Sequence, residues 1–556
     1  MAQRIVIDPI TRIEGHLRIE VELDETNTVK DAWSSITLWR GIETILKGRD
    51  PRDAPLMVQR FCGVCTYVHY EASILALEDA FGVRPPANAR LVRNLIHAAL
   101  YMTDHVMHFY HLHGLDWVDI TKAISADPAK AVALARQYSE SPYNCSETHY
   151  RDVQKRLAKY VESGRLGPFA NAYWGNPSYK LSPEANLVIV SHYLDALQVS
   201  KVGAQMMAIF GGKNPHPQTL VAGGITSVMD VLDAHRIAEY QFRLNELKKF
   251  IETAYIPDLL LAASAYKDEG LAGIGSGAKN YICYGGFPLD DQWNKTLLPK
   301  GVILGGDIAN PLPLDEAKIT EDVTHSWYKG DRPLHPYEGS TDPEYTGLDE
   351  NGNVKGDGKY SWCKGPLYDG QPFEVGPLAR MVLGYAQGDE RIKPLVENTL
   401  KATGLPAQVL FSTLGRTAAR GLETKLIADY TQSWINELVA NIKAGDTRTW
   451  TRCDVPKSGK GRGMVEVPRG ALGHWIVIEN HKNANDQAVV PSTWNCAPRN
   501  QAGKRGPYEE SLIGTRLSNP DQPLEILRTI HSFDPCMACA VHIIRPDTDE
   551  IKQFRV

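Results

Sequence analysis

The chain closes on HSFDPCMACAVHIIRPDTDEIKQFRV, residues 531–556. Cys536 and Cys539 stand there in a C-x-x-C spacing, with His542 three positions on. A second C-x-x-C lies near the other end, in RFCGVCTYVHYEAS, residues 60–73, where Cys62 and Cys65 are followed by His69. Within C-x-x-C two sulfurs can approach one metal from a single turn of chain, and thiolate is a soft ligand suited to zinc, copper(I), nickel or iron. Spacing alone leaves open a structural zinc on four cysteines, and a redox pair of the thioredoxin kind. Against the first, Cys536 follows Cys62 by 474 positions, whereas a zinc staple joins pairs tens of residues apart in a small fold. Against the second, one pair would suffice. If both pairs serve one site, the chain is a single interlocked unit and not the two to four domains its length otherwise suggests.

The flanks point the same way. Each pair has a histidine at a short distance and a charged neighbour, Arg60 or Asp534. Structural zinc seldom needs ionisable groups around it, while a site that moves protons and electrons does. The other five cysteines, Cys145, Cys283, Cys363, Cys453 and Cys496, are isolated and read as small buried hydrophobes.

Composition excludes several classes. Sixty basic and 66 acidic residues leave a net charge of −6, too weak and of the wrong sign for nucleic acid as main partner. No apolar run approaches the ~20 residues of a membrane helix, and MAQRIVIDPITRIEGH has no apolar signal-peptide core. Glycine-rich spots such as GIGSGAKN, residues 273–280, fit no phosphate-cradling pattern.

HLRIEVELDETNTVKDAWSSITLWRG reads as two strands about a polar turn. Helical spacing predicts long helices over ANARLVRNLIHAALYMTDHVMHFYHLHGLDW and ANLVIVSHYLDALQVSKVGAQMMAIFGG, each ending on glycine. Further helices are expected in 228–255, 375–403 and 407–443. Loops and short strands are expected over 265–375, and strands such as HWIVIEN and AVVPSTW in the last hundred residues. The fold class is α+β, predominantly α: a long-helix bundle core with small peripheral sheets. Residues 1–542 form one unit, with N-terminal strands to about 50, a helical core over about 51–265 and 375–445, a loop-rich insert over 265–375, and C-terminal strands with a lid over 446–542.

R-x-C-G-x-C-x-x-x-H near the start and D-P-C-x-x-C-x-x-H at the end resemble the two signatures of the large subunit of nickel–iron hydrogenases. DPITRIEGH (8–16), DHVMHFYHLHGLDW (104–117), EVGPLA (374–379), EVPRGALGHW (466–475) and VVPSTWN (489–495) extend the resemblance over nearly the whole chain, nearest to the membrane-associated uptake type. The resemblance implies Cys62 and Cys536 as terminal nickel ligands, and Cys65 and Cys539 bridging to an iron that carries two cyanides and one carbon monoxide. It implies reversible heterolytic cleavage of dihydrogen. Glu14 is implied as proton gate and Arg469, after Pro468, as a guanidinium over the metals fixed by Asp104 and Asp534. Ser492 is implied as hydroxyl donor to a cyanide. Without the motif, Glu14 would be read as a surface partner of Arg12 or Arg18, and Asp104 as a helix-surface charge. His105, His108, His111 and His113 are read as packing or hydrogen-bonding residues.

The same resemblance implies magnesium on Glu43, the carbonyl of Ala488 and His542. Alanine stands at 488 where many relatives have leucine, and Asp486 replaces a common aromatic. It implies an iron–sulfur small subunit that passes electrons on, through membrane subunits, to a respiratory quinone pool. It also implies a periplasmic, membrane-associated location reached on the partner's export signal, and a maturation protease that cuts after His542 and removes 543–556. Two other readings stay open here. One is a hydrogen-sensing relative, against which the tail counts; the other is a non-enzymatic zinc scaffold.

Overall fold

The computed structural model describes residues 3–540 apart from 165, 166, 171 and 357; the side chains of Pro168, Cys539 and Ala540 are also outside the description. The Cys539 thiol, His542 and the 543–556 extension, all singled out by sequence, therefore lie outside the described residues.

The expected α+β, mostly helical fold is the one observed. Helices Val68–Phe81, Ala87–Met107, Pro183–Gly211, Ala234–Phe250 and Thr413–Lys443 build the main core. Local chemistry fixes their ends. Ser182 accepts from the Ala185 N–H ahead of a proline in the first turn, and Gly212 stops that helix at φ 79°, the usual arrangement of oxygen cap, proline start and left-handed glycine stop. Ser412 caps Thr413–Lys443 through the Gly415 N–H. The Ala87–Met107 helix passes into a π turn at His108–Leu112 and a 3-10 turn at Gly114–Asp116.

Three expected helices are broken. The 407–443 stretch is a 3-10 turn over Ala407–Leu410 followed by the helix Thr413–Lys443. The 228–255 stretch splits at Asp233, which caps Ala234–Phe250, and then runs on through a π turn to Ala265. The 375–403 stretch is two helices, Pro377–Ala386 and Ile392–Thr403. The loop-rich insert carries the strand pairs Tyr281–Pro288 with Thr296–Ile303 and Ile319–Asp322 with Gly365–Tyr368. The C-terminal region is less strand-like than its sequence suggests. VVPSTW turns into the helix Pro491–Asn495, and helices Pro507–Leu512, Leu524–Ser532 and Met537–Ala540 come after it. No helix among the described residues is long and apolar enough to cross a membrane.

Two sheets position the two ends of the chain. In the first, Gln3–Ile7, Leu17–Leu23 and Val29–Ile36 pair antiparallel. Its buried face shares a core with Tyr508, Leu512, Ile526, Ile530, Phe533 and Met537, so the N-terminal strands and the C-terminal helices are packed as one body. In the second, Ser458–Val467, Gly470–Glu479 and Lys482–Val489 pair antiparallel. Its first strand lies directly against the Val68–Phe81 helix, and Gly461 and Gly463 permit the approach. A Cβ at Gly461 would stand 2.1 Å from Ala76 O, and one at Gly463 1.8 Å from Ala72 O. The helix so held begins just after the first thiol pair.

Gly463→Ala should therefore destabilise by at least about 3 kcal/mol, the upper range for overpacking, because backbone cannot step aside. Gly63→Ala, where a Cβ meets nothing within 4 Å, should leave the thermal unfolding midpoint unchanged. Equal midpoints for the two variants would refute the close-approach account.

Candidate metal centre

The first thiol pair comes after a 3-10 turn at Gln59–Phe61, beyond which Cys62 is extended. The N–H groups of Val64 and Cys65 point back at Cys62 Sγ, at 3.2 and 3.3 Å, a setting that favours thiolate. From the far end Asp534, at φ 61°, turns the chain so that Cys536 bridges in parallel to Glu14. Cys536 Sγ lies 3.4 Å from Cys62 Sγ and 3.9 Å from Cys65 Sγ. All three residues are buried, with ligand atoms within 4.8 Å of one another. Sulfurs about 2.3 Å from one tetrahedral ion stand about 3.8 Å apart, so this donor set fits a shared soft metal centre. Arg60 does not belong to it: its side chain is exposed and donates to Gln59.

Beside the thiols, Arg469 Nη1 donates to Asp104 Oδ2 at 2.8 Å and Nη2 to Asp534 Oδ1 at 3.0 Å. All three are buried, so Asp104 is no helix-surface charge. Burial above all, with the neighbouring Asp534 carboxylate, pushes Asp104 up to about 7 against the pull of Arg469. Arg469 Nε, Asp104 Oδ1 and Asp534 Oδ2 are buried without a protein hydrogen-bond partner, and such atoms mark the edge of a site that another group completes. The loop bearing Arg469 is held by residues that sequence reading missed. Arg380 donates to the carbonyls of Val467 and Pro468, each at 3.0 Å. It is itself gripped by Glu423 and Glu466, and His105 Nε2 is 2.9 Å from Glu423. Arg380 directly follows the EVGPLA motif, the one signal that could have found it. Pro468 and Ser492 line the thiol pocket with Cys65, Arg469 and Cys536. Ser492 Oγ accepts from the Cys536 N–H at 3.0 Å, which leaves its own proton to donate.

Glu14 is tied to the second thiol segment through main chain and side chain. Its N–H donates to Pro535 O at 3.3 Å and its carbonyl accepts from the Met537 N–H at 2.7 Å. Its Oε2 accepts from Cys536 Sγ at 3.3 Å and from the Ala538 N–H at 2.9 Å. Gly15, at φ 83°, makes this possible, since a Cβ there would meet Ala538 N at 2.6 Å. The surface-pairing alternative fails: Arg12 pairs with Asp116, and Arg18 with Glu20 and Asp8. Burial first, then negative charge at Cys62, pushes the Glu14 carboxyl up to about 7, the range of an acid that both takes and gives a proton near neutrality.

Glu43 and Ala488 are also adjacent, but through the Ala488 N–H, which donates to Glu43 Oε1 at 2.9 Å. Glu43 Oε2 accepts from Thr341, and Lys364 Nζ stands 3.4 Å away. The buried Lys364 reaches Gln487 at 2.6 Å and Glu321 at 3.6 Å, so this is a polar, oxygen-rich cluster. Asp486 is buried, with Oδ1 3.8 Å from His474 Nδ1; His474 Nε2 in turn lies 3.0 Å from His69 Nδ1. The histidines after residue 104 act as hydrogen-bonding groups: His108 to His531 O, His111 to Tyr193 O, and His113 to Asp116 and Thr417.

Residues 40–542 match the nickel-dependent hydrogenase family, and residues 4–37 match a family described as HoxL-like. The chain is 51% identical to the quinone-reactive Ni/Fe-hydrogenase large chain of Wolinella succinogenes, covering 100% of this chain and 98% of that one. It is 48% identical to the uptake hydrogenase large subunit of Rhizobium leguminosarum bv. viciae, covering 100% and 97%. Among solved structures, the Ni-Fe-Se hydrogenase of D. vulgaris Hildenborough in its reduced state superposes with a TM-score of 0.80 at 36% identity, over 98% of this chain and 100% of that one.

Arg469→Leu strands two buried carboxylates. Removing one partner of a buried pair costs about 3–5 kcal/mol, so the variant should unfold at a clearly lower temperature. Arg469→Lys, which keeps the charge but not the fork, should lose less. An Arg469→Leu variant as stable as wild type would show that the ion triad does not hold the fold.

Proposed function

This chain belongs to the nickel-dependent hydrogenases as a large, catalytic subunit, an oxidoreductase acting on dihydrogen, and from that premise we propose how its own residues serve the reaction. Cys62, Cys65, Cys536 and Cys539 would hold a nickel–iron centre, Cys62 and Cys536 as ligands of nickel and Cys65 and Cys539 as ligands shared with iron. When bound, that centre supplies the soft, redox-active site at which dihydrogen is split heterolytically. The proton is taken up at Cys536 Sγ and passed to Glu14 Oε2, already within hydrogen-bond reach at 3.3 Å. Arg469, fixed by Asp104 and Asp534, stands over the site and polarises the molecule that binds there. Ser492, whose hydroxyl proton is left to donate, would supply a hydrogen bond to a cyanide of the bound centre, and Pro468 lines the same wall. The single observation that carries this reading is the convergence of buried thiols from both ends of the chain beside one partly buried carboxyl.

Electrons leave through an iron–sulfur small subunit. Among the described residues, the one cysteine-containing ligand group is Cys62, Cys65 and Cys536, which supports placing the clusters on another chain. The name of the Wolinella relative supports a quinone pool as acceptor, reached through membrane subunits in a periplasmic, membrane-associated enzyme. Glu43 and the Ala488 carbonyl would supply the oxygen donors that magnesium prefers, with His542 adding a less usual ring-nitrogen ligand. Residues 1–542 act as one unit, and a protease removes residues 543–556 once nickel is in place, letting the last segment close the site.

Glu14→Gln should keep nickel and iron near one each and lose hydrogen oxidation by at least about 10²-fold, the usual scale of a lost acid–base group. Near-normal turnover would remove Glu14 from the mechanism. Intact mass of the active enzyme should end at His542, and a fully active chain still carrying residues 543–556 would defeat the processing step.

A further inference from the structure

A second group of potential ligands, His113, Asp116 and His531, is buried with its atoms within 4.8 Å of one another, and the site described above does not use it. It is already saturated. Asp116 Oδ1 pairs with Arg12 Nη2, while Oδ2 accepts from His113 Nδ1 at 3.0 Å and from His531 Nδ1 at 2.7 Å. A cation would have to displace two imidazoles and a guanidinium from Asp116, so this is no metal site.

Its three spokes reach both sides of the Glu14–Cys536 contact. Arg12 precedes Glu14 by two residues and sits at φ 55°, a conformation unfavourable for a non-glycine residue unless its surroundings impose it. The surroundings do so: besides Asp116, Arg12 donates to Leu112 O at 2.6 Å. His531 precedes Cys536 by five residues. Its Nε2 lies 2.8 Å from Thr11 O, and its carbonyl accepts from His108 Nε2 at 2.7 Å and the Asp534 N–H at 2.9 Å. His113, in the third segment, is braced by Thr417 at 3.0 Å. One carboxylate thus ties the loop carrying Glu14, the segment carrying Cys536, and the end of the Ala87–Met107 helix extension into a single frame.

We propose that Asp116 is a positioning residue for Glu14, holding the Thr11–Arg12 turn and His531 so that Glu14 Oε2 and Cys536 Sγ stay in hydrogen-bond contact. The inference rests on the reading of Glu14 as proton gate. Proton transfer demands heavy-atom contact, and a misplacement of about 1 Å costs on the order of 10²-fold. Asp116→Asn keeps the shape but turns one acceptor into a donor facing a donor, so it should loosen the frame without emptying the thiol pocket.

The test uses the assembled enzyme with its small subunit. Asp116→Asn should keep its nickel and iron and the infrared bands of the cyanide and carbonyl ligands, while hydrogen oxidation falls at least about tenfold. The carboxyl C=O stretch that Glu14→Gln abolishes should shift. In the Glu14→Gln background, adding Asp116→Asn should slow turnover no further. Wild-type turnover in Asp116→Asn, an unshifted carboxyl band, or the same fold-loss in both backgrounds would overturn the proposal. If Glu14→Gln alone turns over normally, it is the gate reading that fails. Should Asp116→Asn assemble without nickel, Arg12→Lys, which keeps the charge and loses the contact to Leu112, takes its place: the same losses support the proposal and the same wild-type behaviour overturns it.

Discussion

Two sulfur atoms 474 residues apart stand at 3.4 Å, and most of the architecture exists to keep them there. The length of the intervening chain is not the difficulty, since each doubling of a loop costs only about 0.6 kcal/mol of closure entropy. The difficulty is holding two unrelated segments in register to a few tenths of an ångström. The structure does this twice over. Side chains from the first sheet and the last helices share one core, and the main chain of Glu14 is hydrogen-bonded on both sides to residues flanking Cys536. Placing the carboxyl in the same backbone pairing as the thiol means that whatever docks the last segment also docks Glu14 against it. Sulfur and carboxyl are therefore positioned by one event.

Local periodicity and short-range chemistry were legible in the sequence. The long helices were legible because apolar residues repeat at helical spacing and glycines such as Gly212 mark their ends, whereas the Ser182 and Ser412 caps emerged only with the structure. The thiol pairs were legible because their spacing is itself ligand geometry. Less legible was whatever depends on a distant partner. Asp104, Arg380, Glu423 and Glu466 look like surface charges along helices and strands, yet all four are buried, each neutralised by groups 43 to 365 positions away. Gly461 and Gly463 look like weak points in a strand until the helix backbone that lies on them is seen. Arg60, conspicuous beside Cys62, faces solvent. The short C-terminal helices were hidden because four to nine residues are too few for a helical repeat to separate from a strand.

The charge balance of the pocket says why those distant partners matter. Arg469 is one cation shared by two buried carboxylates, with three described thiols beside it. The anionic side is in excess; burial is what chiefly pushes Asp104 and Glu14 up, and the Cys62 charge adds to it in both. Such a pocket is built to receive positive charge, and soft sulfur donors select which kind. Placing a second arginine at the pocket would relieve the excess too, but it would occupy the space and saturate the thiolates. The chain keeps its other cations one layer out instead. Arg380 is spent on backbone carbonyls and glutamates, Arg420 reaches the Ser532 carbonyl at 2.9 Å, and Arg12 is committed to Asp116. Each of these arginines orders the loops that carry Arg469, Asp534 and Glu14 without offering its charge to the sulfurs. Rigidity and unmet negative charge at the centre are thus provided by separate layers of the same buried network.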